Sequence, residues 1–227
     1  TNNTANGYNS LFSNTTGARN IANGSNSLNS NTTGGYNTAV GGYGSLMYNT
    51  TGDGNSAYGD TSLFSNTTGA KNTANGLSSL FNNTTGTGNI GLGYSSGYGD
   101  GTIVDQRSVI DNYMTFIGYQ ASRDASIAST TALSNGIAIG KNARVGGSNM
   151  LVLGGTGADA VNVGIGTTSP QAKLHISSGA SATTTVTVGE LGLSTSKSCV
   201  NMNTNTGTAA SFYIVGTTMV VEANYCR

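Results

Sequence analysis

The sequence predicts an all-β protein, made of a parallel β-solenoid (β-roll) with 17-residue rungs and a small disulfide-linked β module after it. Two observations lead to this prediction. Gly, Thr, Asn and Ser together account for 123 of the 227 residues, a composition too poor in helix-forming residues for a helical bundle. The tetrad Asn-Thr-Thr-Gly also occurs five times, at a spacing that is constant but for a single insertion. A disordered linker has no reason to keep such a phase, whereas a solenoid requires it.

The charge and hydropathy of the chain argue against two classes of partner. Nine basic residues balance nine acidic ones, and charged residues make up only 8% of the sequence. A chain with no basic surplus gains little from releasing phosphate counterions, so we expect no nucleic-acid partner. No apolar run reaches the roughly 18 residues that a membrane-spanning helix requires, so we expect no membrane insertion.

Residues 1–98 form the regular repeat, and each unit carries three markers. Asn-x-Ala-x-Gly comes first, Ser-Leu second and Asn-Thr-Thr-Gly third. We expect two short strands per unit, joined by turns at the tetrad and near the last glycine of the first marker. Strands of successive units should pair in parallel about 4.8 Å apart, so that like residues stack on like.

Two columns of residues follow from this stacking. The leucine of Ser-Leu is the only large apolar residue present in all five units, so it predicts the core. The predicted core stripe is Leu11, Leu28, Leu46, Leu63 and Leu80. The predicted turn ladder consists of the tetrad asparagines, Asn14, Asn31, Asn49, Asn66 and Asn83. These asparagines also satisfy the N-glycosylation sequon, but we interpret them as turn residues first.

Residues 99–177 lose the strict period, and several of their segments resemble known families. Asn135–Val145 reads Asn-Gly-Ile-Ala-Ile-Gly-Lys-Asn-Ala-Arg-Val, which resembles the head repeat of trimeric autotransporter adhesins. Phe116–Ala121 resembles a looser copy of the same repeat. The resemblance implies a left-handed parallel β-roll in which three chains pack into one head. Val161–Ile176 is similar to segments of phage tail fibres and large bacterial surface proteins that precede a C-terminal module.

Residues 178–227 are predicted to form that separate C-terminal module. It contains both cysteines of the chain, Cys199 and Cys226, and we expect them to form a disulfide. A disulfide implies an oxidising, extracellular setting. Metal binding by the two thiols is the alternative, but a zinc site needs four ligands, and the single histidine, His175, lies outside the module. Runs of β-type residues occur at 183–188, 211–215 and 217–222.

Motifs that carry chemistry are few. Gly93–Gly97 matches the G-x-S-x-G nucleophile elbow, which would make Ser95 a nucleophile and His175 its base. The alternative, which we favour, is that Gly93 and Ser96 are the glycine and serine of a sixth rung. Asp100, Asp105 and Asp111 could bind an ion, although a solvated loop is the simpler interpretation. We therefore expect no catalytic residue, no cofactor and no metal.

The abundant threonine and tyrosine suggest two surface functions. Flat threonine arrays order water in ice-binding solenoids, but the two threonines of each tetrad are adjacent and should point to opposite faces. Exposed tyrosines can stack on sugars. The candidates for such stacking are Tyr8, Tyr36, Tyr43 and Tyr58.

The function expected from these patterns is that of a non-enzymatic structural subunit of an extracellular fibre or surface appendage. The partner is the chain itself, as a trimer, a head-to-tail filament or both, assembled through solenoid stacking. Head-to-tail assembly is expected because the given sequence begins inside a rung, at Asn3–Gly7, and an uncapped rung presents unpaired backbone groups. The alternative is a receptor- or glycan-binding phage tail fibre or adhesin head.

Overall fold

A computed structural model describes residues 2–98, 110–127 and 131–176, together with the backbone of residues 200–203, 209–215 and 218–223. The chain divides into two compact units, the first ending at Val163 and the second beginning at Gly164. The described residues form sixteen β-strands and a single short 3-10 helix, Gly157–Asp159. The prediction of an all-β protein is therefore confirmed. Among the described residues, no helix is long and apolar enough to cross a membrane.

Eleven strands lie wholly in the first unit. They are β1 (Thr4–Asn6), β2 (Ile21–Ser25), β3 (Thr38–Tyr43), β4 (Ser56–Tyr58), β5 (Thr73–Asn75), β6 (Ile90–Leu92), β7 (Thr115–Ile117), β8 (Ser122–Arg123), β9 (Ile137–Ile139), β10 (Arg144–Val145) and β11 (Leu151–Leu153). Nine of them form one sheet in the order β1-β2-β3-β4-β5-β6-β7-β9-β11, and β8 pairs with β10. Every pairing in both sheets is parallel. The predicted parallel architecture is confirmed, and the sheet is open, with β1 and β11 at its ends.

The register of the large sheet reproduces the sequence repeat. Thr4 pairs with Ile21 and Ile21 with Thr38, so each strand lies beside its counterpart in the next repeat unit. The step from Thr38 to Ser56 is longer by a single residue. Beyond β6 the steps become unequal, and the corresponding pairs are Ile90 with Thr115, Thr115 with Ile137, and Ile137 with Leu151. Parallel strands are usually connected through a helix. In this sheet, turns connect each strand to the next, which is added beside it.

Each regular unit contains one strand of this sheet, and the prediction of two strands per unit is wrong. The Ser-Leu segment lies in a turn, and its leucines have φ angles between 49° and 53°. This left-handed conformation is incompatible with an extended strand. The segment still joins the stack, because the Leu46 N–H donates to the Ser62 carbonyl at 3.0 Å and equivalent bonds recur in the other regular units.

An extra residue in the third unit explains the longer step between β3 and β4. It produces a register shift between β2 and β3, after Asn23. The additional N–H of Gly42 and the N–H of Tyr43 both donate to Asp60 Oδ1 in the following unit, the latter at 3.3 Å. Asp60 therefore satisfies backbone donors that the insertion removes from the regular ladder.

The remaining strands form two small sheets. The strand β12 (Val163–Ile165) pairs with β13 (Leu174–Ile176). The strands β14 (Val200–Asn203), β15 (Ala209–Val215) and β16 (Thr218–Ala223) form an antiparallel sheet. Strands therefore occur where the β-type runs at 211–215 and 217–222 predicted them. The run at 183–188, Cys199 and Cys226 lie outside the described residues.

Candidate functional site on the parallel sheet

Each repeat unit forms one coil of the stack. The five leucines of the predicted core stripe occupy equivalent turn positions in successive coils. Leu28, Leu46 and Leu63 are fully buried and Leu80 is 2% exposed, while Leu11 on the first coil is partly buried. A left-handed backbone conformation destabilises an L-residue by about 1–2 kcal/mol. Burial of a leucine side chain stabilises the folded chain by about 1.5–3 kcal/mol. The burial therefore offsets the backbone strain, and the strained conformation directs the side chain inward.

The tetrad asparagines form a hydrogen-bonded column inside the coils. The Asn49 Nδ2 donates to Asn31 Oδ1 at 2.8 Å and to the Gly52 carbonyl at 3.0 Å. The same two bonds recur at Asn31, Asn66 and Asn83, with amide-to-amide distances of 2.7–2.8 Å. These four asparagines are at most 2% exposed, whereas Asn14 is partly buried. A buried Nδ2 with two acceptors is not accessible for glycosylation in the folded chain.

A second asparagine column runs beside the first, and sequence reasoning did not recognise its role. Its buried members are Asn20, Asn37, Asn55, Asn72 and Asn89. The Asn72 Nδ2 donates to the Gly86 carbonyl at 2.8 Å, and its Oδ1 accepts the Asn89 backbone N–H at 2.9 Å. The Asn-x-Ala-x-Gly marker gave the position of this column. The regular recurrence of this asparagine could have indicated its role, because a buried amide can bond to a backbone donor and a backbone acceptor at once.

Both columns end at the boundary of the regular coils. The Asn89 Nδ2 donates to Asn83 Oδ1 at 3.0 Å and to the Asp111 carbonyl at 2.7 Å. Its Oδ1 accepts the Met114 N–H at 2.9 Å. Beyond this point the buried residues of the coils are mainly apolar, namely Met114, Phe116, Ala121, Leu133, Ala138, Ala143 and Val145.

An ion pair lies buried at this boundary. Asp111 is fully buried and Arg123 is 4% exposed, and the Arg123 Nη1 lies 3.1 Å from Asp111 Oδ1. Asp111 Oδ1 also accepts the Leu133 N–H at 2.7 Å. Burial raises the pKa of Asp111, while the Leu133 hydrogen bond and the Arg123 charge oppose that rise. The interpretation of Asp111 as a solvated-loop residue is therefore wrong, because its carboxylate anchors the interior; Asp100 and Asp105 lie outside the described residues.

The other predicted chemical residues have ordinary partners. Ser95 lies on the sixth coil, 6% exposed, with a φ of 51° and its N–H donating to the Leu77 carbonyl. Left-handed residues occupy the equivalent position in the preceding coils, including Thr61 and Ser78. His175, in the second unit, accepts the Gln171 N–H on Nδ1 at 3.2 Å. Within the described ranges, no three His, Cys, Asp or Glu side chains are grouped so as to hold a metal ion.

The outward face of the large sheet changes character along the stack. Each strand contributes two outward residues on either side of an inward Ala, Gly, Phe or Val. On β1 to β5 the outward pairs are Thr4 and Asn6, Ile21 and Asn23, Thr38 and Val40, Ser56 and Tyr58, and Thr73 and Asn75. On β6, β7, β9 and β11 they are Ile90 and Leu92, Thr115 and Ile117, Ile137 and Ile139, and Leu151 and Leu153. We call these two parts the polar half and the apolar half of the sheet face.

The apolar half is open to solvent. Ile90, Leu92, Ile117 and Ile139 are 36–38% exposed, Leu153 is 41% exposed and Leu151 is 60% exposed. None of the eight outward positions on these four strands carries a charge. The nearby charged pair, Lys141 and Asp159, is joined at 2.8 Å, and this pairing raises the pKa of Lys141 and lowers that of Asp159.

Exposed aromatic residues accompany the sheet. Tyr94 and Tyr119, which lie just beyond the ends of β6 and β7, stack with ring centroids 5.2 Å apart and are 46% and 47% exposed. The four tyrosines considered for sugar stacking, Tyr8, Tyr36, Tyr43 and Tyr58, are 44–75% exposed.

No protein-family model, curated protein or solved structure matches the chain, so its function has to be inferred from its own residues.

Proposed function

We propose that the chain is a non-enzymatic structural subunit of an extracellular fibre or surface appendage, and that its copies associate with one another. The observation that carries this proposal is the continuous stack of in-register coils with two buried asparagine columns. Each buried amide bonds to the coil before or after it, so neighbouring coils cannot separate without breaking several hydrogen bonds. Such an interior suits a protein whose task is to remain rigid.

The surface is consistent with this role. Among the described residues the titratable side chains with clear pKa shifts are aspartates and a lysine held in hydrogen bonds and ion pairs. The exposed chemistry of the sheet is hydroxyl, amide, aromatic and aliphatic. A surface of this kind favours contact with other surfaces over chemistry on a substrate.

Three finer features belong to the same proposal. The first is a left-handed β-roll packed as a trimer, which the resemblance to autotransporter heads implies. The second is a disulfide between Cys199 and Cys226 in the C-terminal module, which would favour an extracellular location. Mass spectrometry under non-reducing conditions tests the disulfide, and the detection of two free thiols would contradict it. The third is the absence of a cofactor.

The experiment that tests the proposed function is sedimentation and electron microscopy of the purified full chain over a wide concentration range. We expect assemblies heavier than the 22.8 kDa of one chain. A chain that stays monomeric at every concentration would contradict self-association. A discrete oligomer that does not polymerise would favour a tip or head over a fibre shaft.

The second candidate is a receptor- or glycan-binding fibre or head. The observation that favours it is the solvent-exposed stack of Tyr94 on Tyr119, because aromatic rings bind the apolar faces of sugars. Glycan-array binding that disappears in Tyr94→Ala and Tyr119→Ala variants, while the oligomer persists, would support this candidate.

A further inference from the structure

We propose that the apolar half of the sheet face, on β6, β7, β9 and β11, is the surface through which two copies of this chain contact each other, and that the polar half on β1 to β5 stays in water. This inference rests on the proposed function, since it locates the self-association within the sheet. It follows from the abrupt change of outward residues between β5 and β6, where Thr73 and Asn75 give way to Ile90 and Leu92.

The chemistry of the apolar half limits what can cover it. Its outward residues are seven aliphatic side chains and Thr115, none of them charged. A charged ligand, nucleic acid or anionic lipid surface would find no counter-charge there. The partner must therefore be flat, apolar and uncharged over the contact.

A second copy of the same surface meets these requirements. Parallel strands place the outward residues in two straight columns with one residue per strand, as in the register of Ile117 with Ile139. An identical surface presents columns of the same spacing, so aliphatic side chains can interdigitate as they do between sheets packed about 10 Å apart. A symmetric contact of this kind uses the same patch on each copy and joins copies in pairs, so growth into a fibre needs a further contact outside this face.

The exposed area reaches the lower end of what such a contact needs. From their exposed fractions, the six most exposed aliphatic residues leave on the order of 500 Å² open, more than half of the roughly 800 Å² that each partner gives to a standard interface. Removing this apolar surface from water is favourable in proportion to its area. The polar half has three apolar or aromatic outward residues, Ile21, Val40 and Tyr58, among hydroxyls and amides that water already solvates, so it contributes less.

The test uses two matched double variants of the full chain that alter the same outward column. Ile117→Lys with Ile139→Lys places two charges in the apolar half, and Asn23→Lys with Asn75→Lys places two charges in the polar half. We expect the first variant to sediment at half the parent's mass or less, and the second to keep the mass of the parent's assembly. Far-ultraviolet circular dichroism checks that both retain the parent's β-sheet spectrum.

A photo-crosslinking amino acid at either Ile139 or Asn75 supplies evidence that does not depend on a disruptive charge. We expect chain-to-chain crosslinks from Ile139 and none from Asn75. If the parent assembles and the Ile117→Lys, Ile139→Lys variant keeps the parent's mass, this inference is overturned and the proposed function stands. Crosslinks from Asn75 without crosslinks from Ile139 have the same consequence. A monomeric parent contradicts the proposed function itself.

Discussion

The regular coils of residues 2–98 and the irregular coils of residues 110–163 share one sheet but have different interiors. In the regular coils the inner positions hold leucines and two columns of buried asparagines, and paired strands follow one another at a fixed period with a single insertion. In the irregular coils the core is mainly apolar, and the steps between paired strands are all of different length.

The physical reason lies in the directionality of the two kinds of contact. An amide ladder needs a donor and an acceptor at the same place in every coil, so extra residues can be added only between the ladder positions. The insertion in the third unit is of this kind, because the Asn49 to Asn31 bond persists across 18 residues. Apolar packing is non-directional and tolerates coils of different length provided that the space is filled. The comparison teaches that polar ladders impose the repeat, while apolar packing permits insertions.

The largest expected effect comes from a charge in the core of the regular coils. Leu46→Asp should lower the free energy of unfolding by more than about 4 kcal/mol, because it buries a carboxylate among the apolar side chains of the core. Leu77→Asp is the matched control, since Leu77 is 47% exposed, and it should change stability by less than about 1 kcal/mol. Urea denaturation monitored by circular dichroism measures both, and equal losses would show that Leu46 is not a core residue in solution.

A second effect should appear at the boundary between the two regions. Asp111→Ala should lower the free energy of unfolding by about 3–5 kcal/mol, because the buried Arg123 guanidinium loses the carboxylate that pairs with it. Asp159→Ala removes the partner of the largely exposed Lys141 and should have a much smaller effect. Thermal unfolding of the two variants tests the difference. If Asp111→Ala unfolds at the same temperature as the parent, the pair does not hold the boundary together.

A third prediction compares the two interiors directly. Asn72→Leu should lower the free energy of unfolding by about 2–3 kcal/mol, although leucine and asparagine are similar in size. The reason is that the buried Asn89 N–H loses its acceptor, Asn72 Oδ1. Leu133→Met, a change of shape at a buried apolar residue of the irregular coils, should lower the free energy of unfolding by less than about 1.5 kcal/mol. Urea midpoints of the two variants rank them. The reverse order would mean that the amide ladder does not determine the stability of the regular coils.

The smallest expected effect is a pH dependence of the free energy of unfolding that arises from Asp111. Burial raises the pKa of this carboxyl above its ordinary value of 3.8, so the folded chain binds the proton more tightly than the unfolded chain. The contribution of Asp111 to stability is therefore greatest below 3.8 and falls as the pH rises through the raised pKa. Asp124 acts in the opposite direction, because its hydrogen bonds with Ser126 lower its pKa.

The stability difference between the parent and Asp111→Asn isolates this contribution, because asparagine does not titrate. We expect the difference to increase in favour of the parent as the pH is lowered from neutrality toward 3.8. Urea denaturation at a series of pH values measures it. A difference that decreases on acidification would show that the Arg123 charge outweighs the burial of Asp111.

Much of the regular region could be predicted from local pattern. The period of Asn-Thr-Thr-Gly led to a parallel all-β stack with like residues in register, and the structure has that arrangement. A turn stands in place of the second strand expected in each unit, because the leucines of the Ser-Leu segment adopt left-handed φ angles that no local pattern indicates. Only the burial of Leu46 and its neighbours in the assembled stack compensates for that conformation.

The candidate site was less accessible to sequence reasoning. The repeat markers predicted the parallel register of the regular units, but they did not join Ile90, Ile117, Ile139 and Leu151 into one surface. The coils that separate those residues differ in length and share no common motif.

The sequence by itself determined the architecture of the regular coils, because a fixed period and repeated residue types leave one register in which buried amides are satisfied. The tertiary structure alone decided where the ladders end, how Asp111 and Arg123 meet in the interior, and that the outward face turns apolar at β6. These features depend on contacts between residues that lie far apart in the chain, and no local pattern encodes separations of that kind once the repeat is lost.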